Sequence, residues 1–332
     1  MNRILFVILI FALGSLGACK NNSRIKLSKK SSLEQLNAAI EANPNQIDLL
    51  EKRAKYYMSK SNYDRAAQDY QSAIKLAPDS INYYMQIADL FMQSGKIKNA
   101  IGILKRVIKI KPDYPDAYLK LGEISLFLRK YQDVFNYANK ALEVDPYSDK
   151  AYFLKAYAYK ENADTNKAID SFQKCLRNNS NNYEANVELG ILFMNLKNKL
   201  AVTYFNNAIA LDSTKLDAYY DLGLYYQNND QLNKALATYK NIEKIAPDFP
   251  NSYYNIGYIY LQLLNIPDKS IPYFTKAIIA SPNYYQAYYN RGLAYERLGD
   301  VFNAKADYKE ALKLHSNYEK AIEGLNRVEK PL

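Results

Sequence analysis

The sequence predicts an all-α solenoid of about eight helix pairs, and three observations carry that prediction. Proline recurs at a fixed interval where second helices should end: Pro78, Pro112 and Pro146 are 34 residues apart, and Pro247 and Pro282 are 35 apart. Small residues recur at the same period. The first such row is Ala54, Ala88, Gly122, Ala156, Gly190, Gly223, Gly257 and Gly292; two more rows begin at Ala66 and Ala73 and end at Ala304 and Ala311. Large residues alternate with them. Tyr84, Tyr118, Tyr152, Tyr219, Tyr253 and Tyr288 lead first helices, while Tyr70, Leu104, Phe172, Phe205, Tyr239, Phe274 and Tyr308 sit in the middle of second helices. Two helices approach closely only where one offers a small side chain to the other's large one. Each pair still leaves an apolar flank, which the next pair buries.

Taken in chain order, residues 1–18 have the layout of a secretory signal. Met1 to Arg3 give a short positive start, and residues 4–18 carry no charge, a stretch too short to span a bilayer comfortably. Leu16, Gly17, Ala18 and Cys19 resemble the lipobox of bacterial lipoproteins. That resemblance implies cleavage before Cys19, acylation of its thiol and amino terminus, and attachment to a membrane through lipid. Residues 19–30 form a basic tether in which Lys20, Arg24, Lys26, Lys29 and Lys30 meet no acid. Near anionic headgroups such a run adds about 1 kcal/mol of attraction per charge; it equally keeps a linker soluble and extended. Residues 31–46 read as a lone second helix that starts the stack.

Eight units follow: 47–80, 81–114, 115–148, 149–182, 183–215, 216–249, 250–284 and 285–318. Unit five is one residue short in its inter-helix turn. Unit seven has one extra residue around Asn265, Ile266 and Pro267. Residues 319–332 close the stack with a helix whose Glu319, Lys320, Glu323, Arg327 and Glu329 supply a polar side. The rows resemble the tetratricopeptide repeat, with tyrosine in place of its leading tryptophan, and residues 288–295 match most fully. The resemblance implies a right-handed superhelical solenoid with an N-terminal half-repeat and a C-terminal capping helix. Such an array grows by adding units, so chain length is no argument for two globular domains.

Catalytic chemistry finds no footing. The chain has one histidine, His315, placed in a loop with no cysteine near it, where a metal site or an activated nucleophile needs several groups together. Cys175 occupies a small-residue row and reads as packing; with Cys19 lipidated it has no partner for a disulfide. The glycines fall at packing positions instead of forming a phosphate loop. Acid pairs such as Asp145 and Asp149 lie at inter-repeat turns, where carboxylates favour helix starts. No catalytic residue, metal or cofactor is expected, and the chain is not read as an enzyme.

The resemblance directs attention to the concave face, lined by the first helices. Places 5 and 9 of each unit point into it, which in units four to eight are Phe153, Tyr157, Val187, Ile191, Tyr220, Leu224, Tyr254, Tyr258, Tyr289 and Leu293. A contiguous apolar concavity marks a binding site, and tyrosines suit one through flat area plus a hydroxyl. The same row is also what a tight superhelix would partly bury. The family's clamp for a terminal carboxylate is absent, because unit one has Glu51 and Lys55 and unit three has Asp116 at the relevant places. Asn255 and Asn290 at place 6 are similar to two rungs of the asparagine ladder of sugar-transferase repeats.

Charge is unevenly shared. Residues 1–180 hold 28 basic and 18 acidic residues, a net of +10, and residues 181–332 hold 16 of each. Lys98, Lys105 and Lys109 share the outer face of one second helix, as a solvated face or as a docking patch for an acidic partner. The expected function is a lipid-anchored bacterial envelope scaffold that binds protein partners through the groove of the array. Its expected place is the outer membrane facing the periplasm, with surface display and the inner membrane as alternatives, and nucleic acid is not an expected partner. The alternative function is glycan or peptidoglycan binding through the tyrosines; homo-oligomerisation stays open.

Overall fold

The computed structural model describes residues 32–329. The segments expected to be a signal (1–18) and a basic tether (19–30), with Cys19, lie outside the described residues. Eighteen α-helices make up the described chain: α1 (Ser32–Ala42), α2 (Ile47–Ser59), α3 (Tyr63–Leu76), α4 (Ile81–Gln93), α5 (Ile97–Ile110), α6 (Pro115–Phe127), α7 (Tyr131–Val144), α8 (Asp149–Glu161) and α9 (Thr165–Asn178) come first. Then follow α10 (Tyr183–Asn195), α11 (Leu200–Leu211), α12 (Asp217–Asn228), α13 (Leu232–Ile245), α14 (Pro250–Tyr258), α15 (Pro267–Ala280), α16 (Tyr285–Arg297), α17 (Val301–Leu314) and α18 (Glu319–Glu329). No strand occurs among the described residues. Contacts divide the chain into two compact units, one through Ser180 and one from Asn181 onward.

Local chemistry explains where helices start and stop. The side chains of Asn62, Ser148, Asp164, Asn182 and Asp300 cap helix starts by accepting a backbone N–H three residues on. Pro115, Pro250 and Pro267 occupy first positions, where their missing N–H costs nothing. Every turn from a first to a second helix contains one residue in the left-handed region. Gly95 and Gly299 supply two of these, but Ser61, Arg129, Ala163, Lys197, Asp230 and Asn265 supply the other six at φ between 53° and 59°.

In the unit through Ser180, Ala54, Ala88, Ala100, Leu104 and Leu121 belong to one buried core. The third pair breaks the small-against-large rule, since Ala138 stands where other pairs put a large residue opposite Gly122. Leu154 of the next first helix fills the gap, its Cδ1 lying 3.0 Å from where a Gly122 Cβ would be. A charged clamp ties α1 to the stack. Arg53 donates three hydrogen bonds to Asp69 and a fourth, of 2.9 Å, to Asn37 of α1, so α1 packs as the second helix of a half-repeat.

The unit from Asn181 repeats these devices. A Cβ on Gly190, Gly223 or Gly257 would lie 2.5–2.8 Å from the rings of Phe205, Tyr239 or Phe274. Arg291 reproduces the clamp, bonding Asp307 twice at 2.8 Å and Thr275 at 3.0 Å. The extra residue of the seventh pair is not in the turn at 265–267, where the sequence suggests it. It sits inside the first helix, which widens into a π turn over Ile259–Leu263, so Asn265 still takes the left-handed turn position. The closing helix α18 is held through Arg327, bonded to Glu296 at 2.7 and 2.9 Å, and Glu329, paired with Lys305 at 2.8 Å. Two of the groups expected on a solvated side therefore face the stack.

Candidate partner-binding surface

The first helices α10, α12, α14 and α16 carry Ile191, Tyr220, Leu224, Tyr254, Tyr258, Tyr289 and Leu293, all half-buried. Three of these rings share one arrangement. Tyr220 meets Phe249 at 5.9 Å, Tyr254 meets Tyr284 at 4.9 Å, and Tyr289 meets Tyr318 at 5.3 Å between ring centroids. Each also contacts the large residue of its own second helix: Tyr239, Phe274 and Tyr308. A place-5 aromatic is thus gripped on one side by its own pair and on another by the turn that opens the next. Phe249, Tyr284 and Tyr318 were missed by the reading of places 5 and 9. Their signal is present, because each immediately precedes a first helix.

Three other candidates leave the accessible set. Val187 is 4% exposed, and in the unit through Ser180 Phe153 and Tyr157 are 3% and 2% exposed. Phe153 and Tyr157 pack edge-on against Phe172. They are core residues, because apolar first-helix positions are shared between the interior and the row that faces outward. Lys98, Lys105 and Lys109 of α5 are exposed. Cys175 is buried, and burial pushes its thiol up to about 12, which suppresses the reactive thiolate at neutral pH. His315 ends α17, exposed, with its ring 4.7 Å from that of Tyr285. Among the described residues no group of three or more His, Cys, Asp or Glu is arranged to hold a metal, and no helix is long and apolar enough to cross a membrane.

Two hydroxyls of the row, those of Tyr254 and Tyr289, are held in the protonated form. Burial first, then neighbouring Tyr318, pushes the Tyr254 phenol up to about 12, and burial raises that of Tyr289. Tyr254 Oη accepts a 3.0 Å hydrogen bond from Asn290 Nδ2, and Asn290 also receives one from Gln262. Asn255, the neighbouring rung, is buried beside the Tyr239 hydroxyl instead. The two asparagines therefore do not form equivalent rungs.

Comparison with known proteins fits this geometry. Tetratricopeptide repeat models match residues 30–81, 137–170, 216–249, 250–284 and 285–318, and a TPR repeat model matches 88–125, together more than half of the chain. The chain is a tetratricopeptide repeat protein. Among solved structures, this tetratricopeptide array is similar to the C-terminal part of a TPR repeat-containing protein from Cytophaga hutchinsonii. That match has a TM-score of 0.64 and 19% identity, covering 74% of this chain and 99% of the other, a likeness of fold. In sequence, the array is 26% identical over 171 residues to the mouse protein O-mannosyl-transferase TMTC3, covering 47% of this chain and 19% of that protein. It is also 26% identical over 113 residues to the protein ycf37 of Guillardia theta, covering 32% of this chain and 63% of the other. The tetratricopeptide chain thus spans under a fifth of the transferase's length and under two thirds of ycf37. Arrays of this family are protein-interaction scaffolds.

Proposed function

We propose that the protein is an adaptor that holds a segment of a partner protein along the first-helix row of residues 181–332. The observation that carries this reading is the row from Ile191 to Leu293, in which apolar and aromatic side chains stay partly open along four consecutive first helices. Tyr220, Tyr258 and Tyr289 combine ring area with hydroxyls free for a peptide group. A photoreactive residue at Tyr258, with a control at Lys105, tests it in the native host. Capture of one dominant protein from position 258 alone supports the reading; equal capture from both positions, or from Lys105 alone, ends it.

The adaptor is anchored in a bacterial envelope by lipid on Cys19, at the outer membrane facing the periplasm. What supports this is the sequence Leu16, Gly17, Ala18, Cys19 and the acid-free tether behind it. Cys19→Ser should abolish palmitate labelling and move the protein from the membrane to the soluble fraction. A variant that stays membrane-bound and labelled would refute the anchor.

A further inference from the structure

Tyr254 differs from the other tyrosines of the row, because a run of three side chains fixes which way its hydroxyl faces. The last carbonyls of a helix lack a partner within it. Arg297 Nη1, at the end of α16, donates to that of Leu261, in the π turn, at 2.7 Å. The same nitrogen reaches Asn265 Oδ1 at 3.2 Å, and Nη2 donates to Gln262 Oε1 at 3.1 Å. A guanidinium only donates, so Gln262 must turn its oxygen toward it. That leaves Gln262 Nε2 to donate to Asn290 Oδ1 at 3.4 Å. Asn290 then points its amide nitrogen the other way: Nδ2 donates to the Gln286 carbonyl at 2.9 Å and to Tyr254 Oη at 3.0 Å.

Each member of this run is oriented by the one before it. The first cannot be reversed, since an arginine stays charged and has no acceptor. Tyr254 is the last member. Its oxygen already receives a hydrogen bond from Asn290, and among the described residues no group accepts the proton it carries. Burial holds that phenol up at about 12, so the proton is in place at neutral pH. A half-buried donor without an acceptor costs free energy until something supplies one. We infer that Arg297, Gln262 and Asn290 are positioning residues that make Tyr254 a hydrogen-bond donor toward the row, and that the partner segment meets it with a main-chain carbonyl. The carbonyl rests on the adaptor reading; the direction of the hydroxyl does not.

The test uses the full chain, isotope-labelled at the tyrosine Cζ, whose NMR signal reports the hydrogen bonding of each phenol. N-acetylproline dimethylamide, which has carbonyls and no N–H, is the acceptor probe; indole, which has an N–H and no carbonyl, is the control. The acceptor probe should shift the Tyr254 signal and saturate. Asn290→Asp puts an acceptor where the amide nitrogen was and turns the hydroxyl inward. It should weaken that probe about tenfold, the scale of one hydrogen bond, while indole binding holds. Tyr254→Phe should cost the same, and adding Asn290→Asp to it should cost nothing more. Arg297→Met frees Gln262 to turn over and should weaken the probe about threefold. Equal loss of both probes in Asn290→Asp, an additive double variant, or no response at Tyr254 would each overturn the proposal. No response at Tyr254 with capture from position 258 intact ends this proposal alone, whereas a response at Tyr254 without capture ends the adaptor alone.

Discussion

Tyr254 stacks on Tyr284 with ring planes 22° from parallel, joining the middle of one first helix to the residue just before the start of the next. Edge-on contacts make the equivalent connection at Tyr220 with Phe249 and at Tyr289 with Tyr318. Part of the aromatic surface along the row is therefore spent on holding neighbouring repeats together. A double-mutant cycle of Tyr254→Leu and Tyr284→Leu should give a coupling of about 1 kcal/mol in urea unfolding. Coupling near zero would leave both rings to a partner.

The glycines separate by what a methyl group would meet. Gly190→Ala, Gly223→Ala and Gly257→Ala drive a Cβ into a buried ring and should each cost about 1–3 kcal/mol. Gly102, in the interior of α5, has nothing within 4 Å, so Gly102→Ala should gain about 0.5–1 kcal/mol. Leu154→Ala should cost about 2–5 kcal/mol, because the space beside Gly122 and Ala138 then has no occupant. Urea midpoints of these variants check the ordering.

Arg291 and Asp307 form a largely buried pair, and burial raises the Asp307 carboxyl despite the guanidinium beside it. Removing one partner strands the other. Arg291→Met should cost about 3–5 kcal/mol, while Arg291→Met with Asp307→Leu should recover most of it. Thermal unfolding of the three proteins decides the matter; a double variant no better than the single would contradict it.

Acid should release α18. Burial works to raise Glu296, but hydrogen bonds from Arg327 and Tyr308 outweigh it and hold the group below its ordinary 4.5. Glu329 is held down in the same way, chiefly by Lys305. A depressed carboxylate stabilises the fold above its unfolded pKa and loses that contribution as pH falls through the folded value. Amides of residues 319–329 should lose hydrogen-exchange protection below pH about 4, ahead of α16 and α17. Simultaneous loss across all three helices would count against this.

Glu123 has the opposite sign. Burial raises its carboxyl, and Lys120 and Lys150 offset this only in part. An acid whose folded value is raised weakens the fold where it is ionised. Glu123→Gln should therefore raise the melting temperature at pH 7, and the gain should shrink as pH falls through the raised value. A loss at pH 7 would show that the charge is instead being used.

Much of the fold was legible because a repeat writes its packing rule many times over. The small and large rows name both sides of each helix pair, and a missing large residue at Ala138 is visible as a break in the row. What fills the break is not, since Leu154 lies in the next pair and only the geometry carries it back. The left-handed turns were hidden for a simpler reason: six of the eight use residues other than glycine. Arg53 with Asp69 and Arg291 with Asp307 are both 16 residues apart, yet nothing in the spacing says that they pair. The candidate row was half legible. Valine and tyrosine serve equally as core and as contact surface, so Val187, Phe153 and Tyr157 could not be separated from Tyr258 by residue type.

The π turn at Ile259–Leu263 confines its extra residue to the length of one helix. Before it Tyr254 keeps its stack, and after it Asn265 keeps the turn, so neither neighbouring repeat is forced to change. At the level of the gene this makes the segment a place where a codon can be gained or lost without disturbing the rest of the reading. Losing it would return α14 to an ordinary helix and would take Tyr260 off Tyr273. One codon thus separates a plain structural repeat from one that carries a stacked tyrosine pair on its flank.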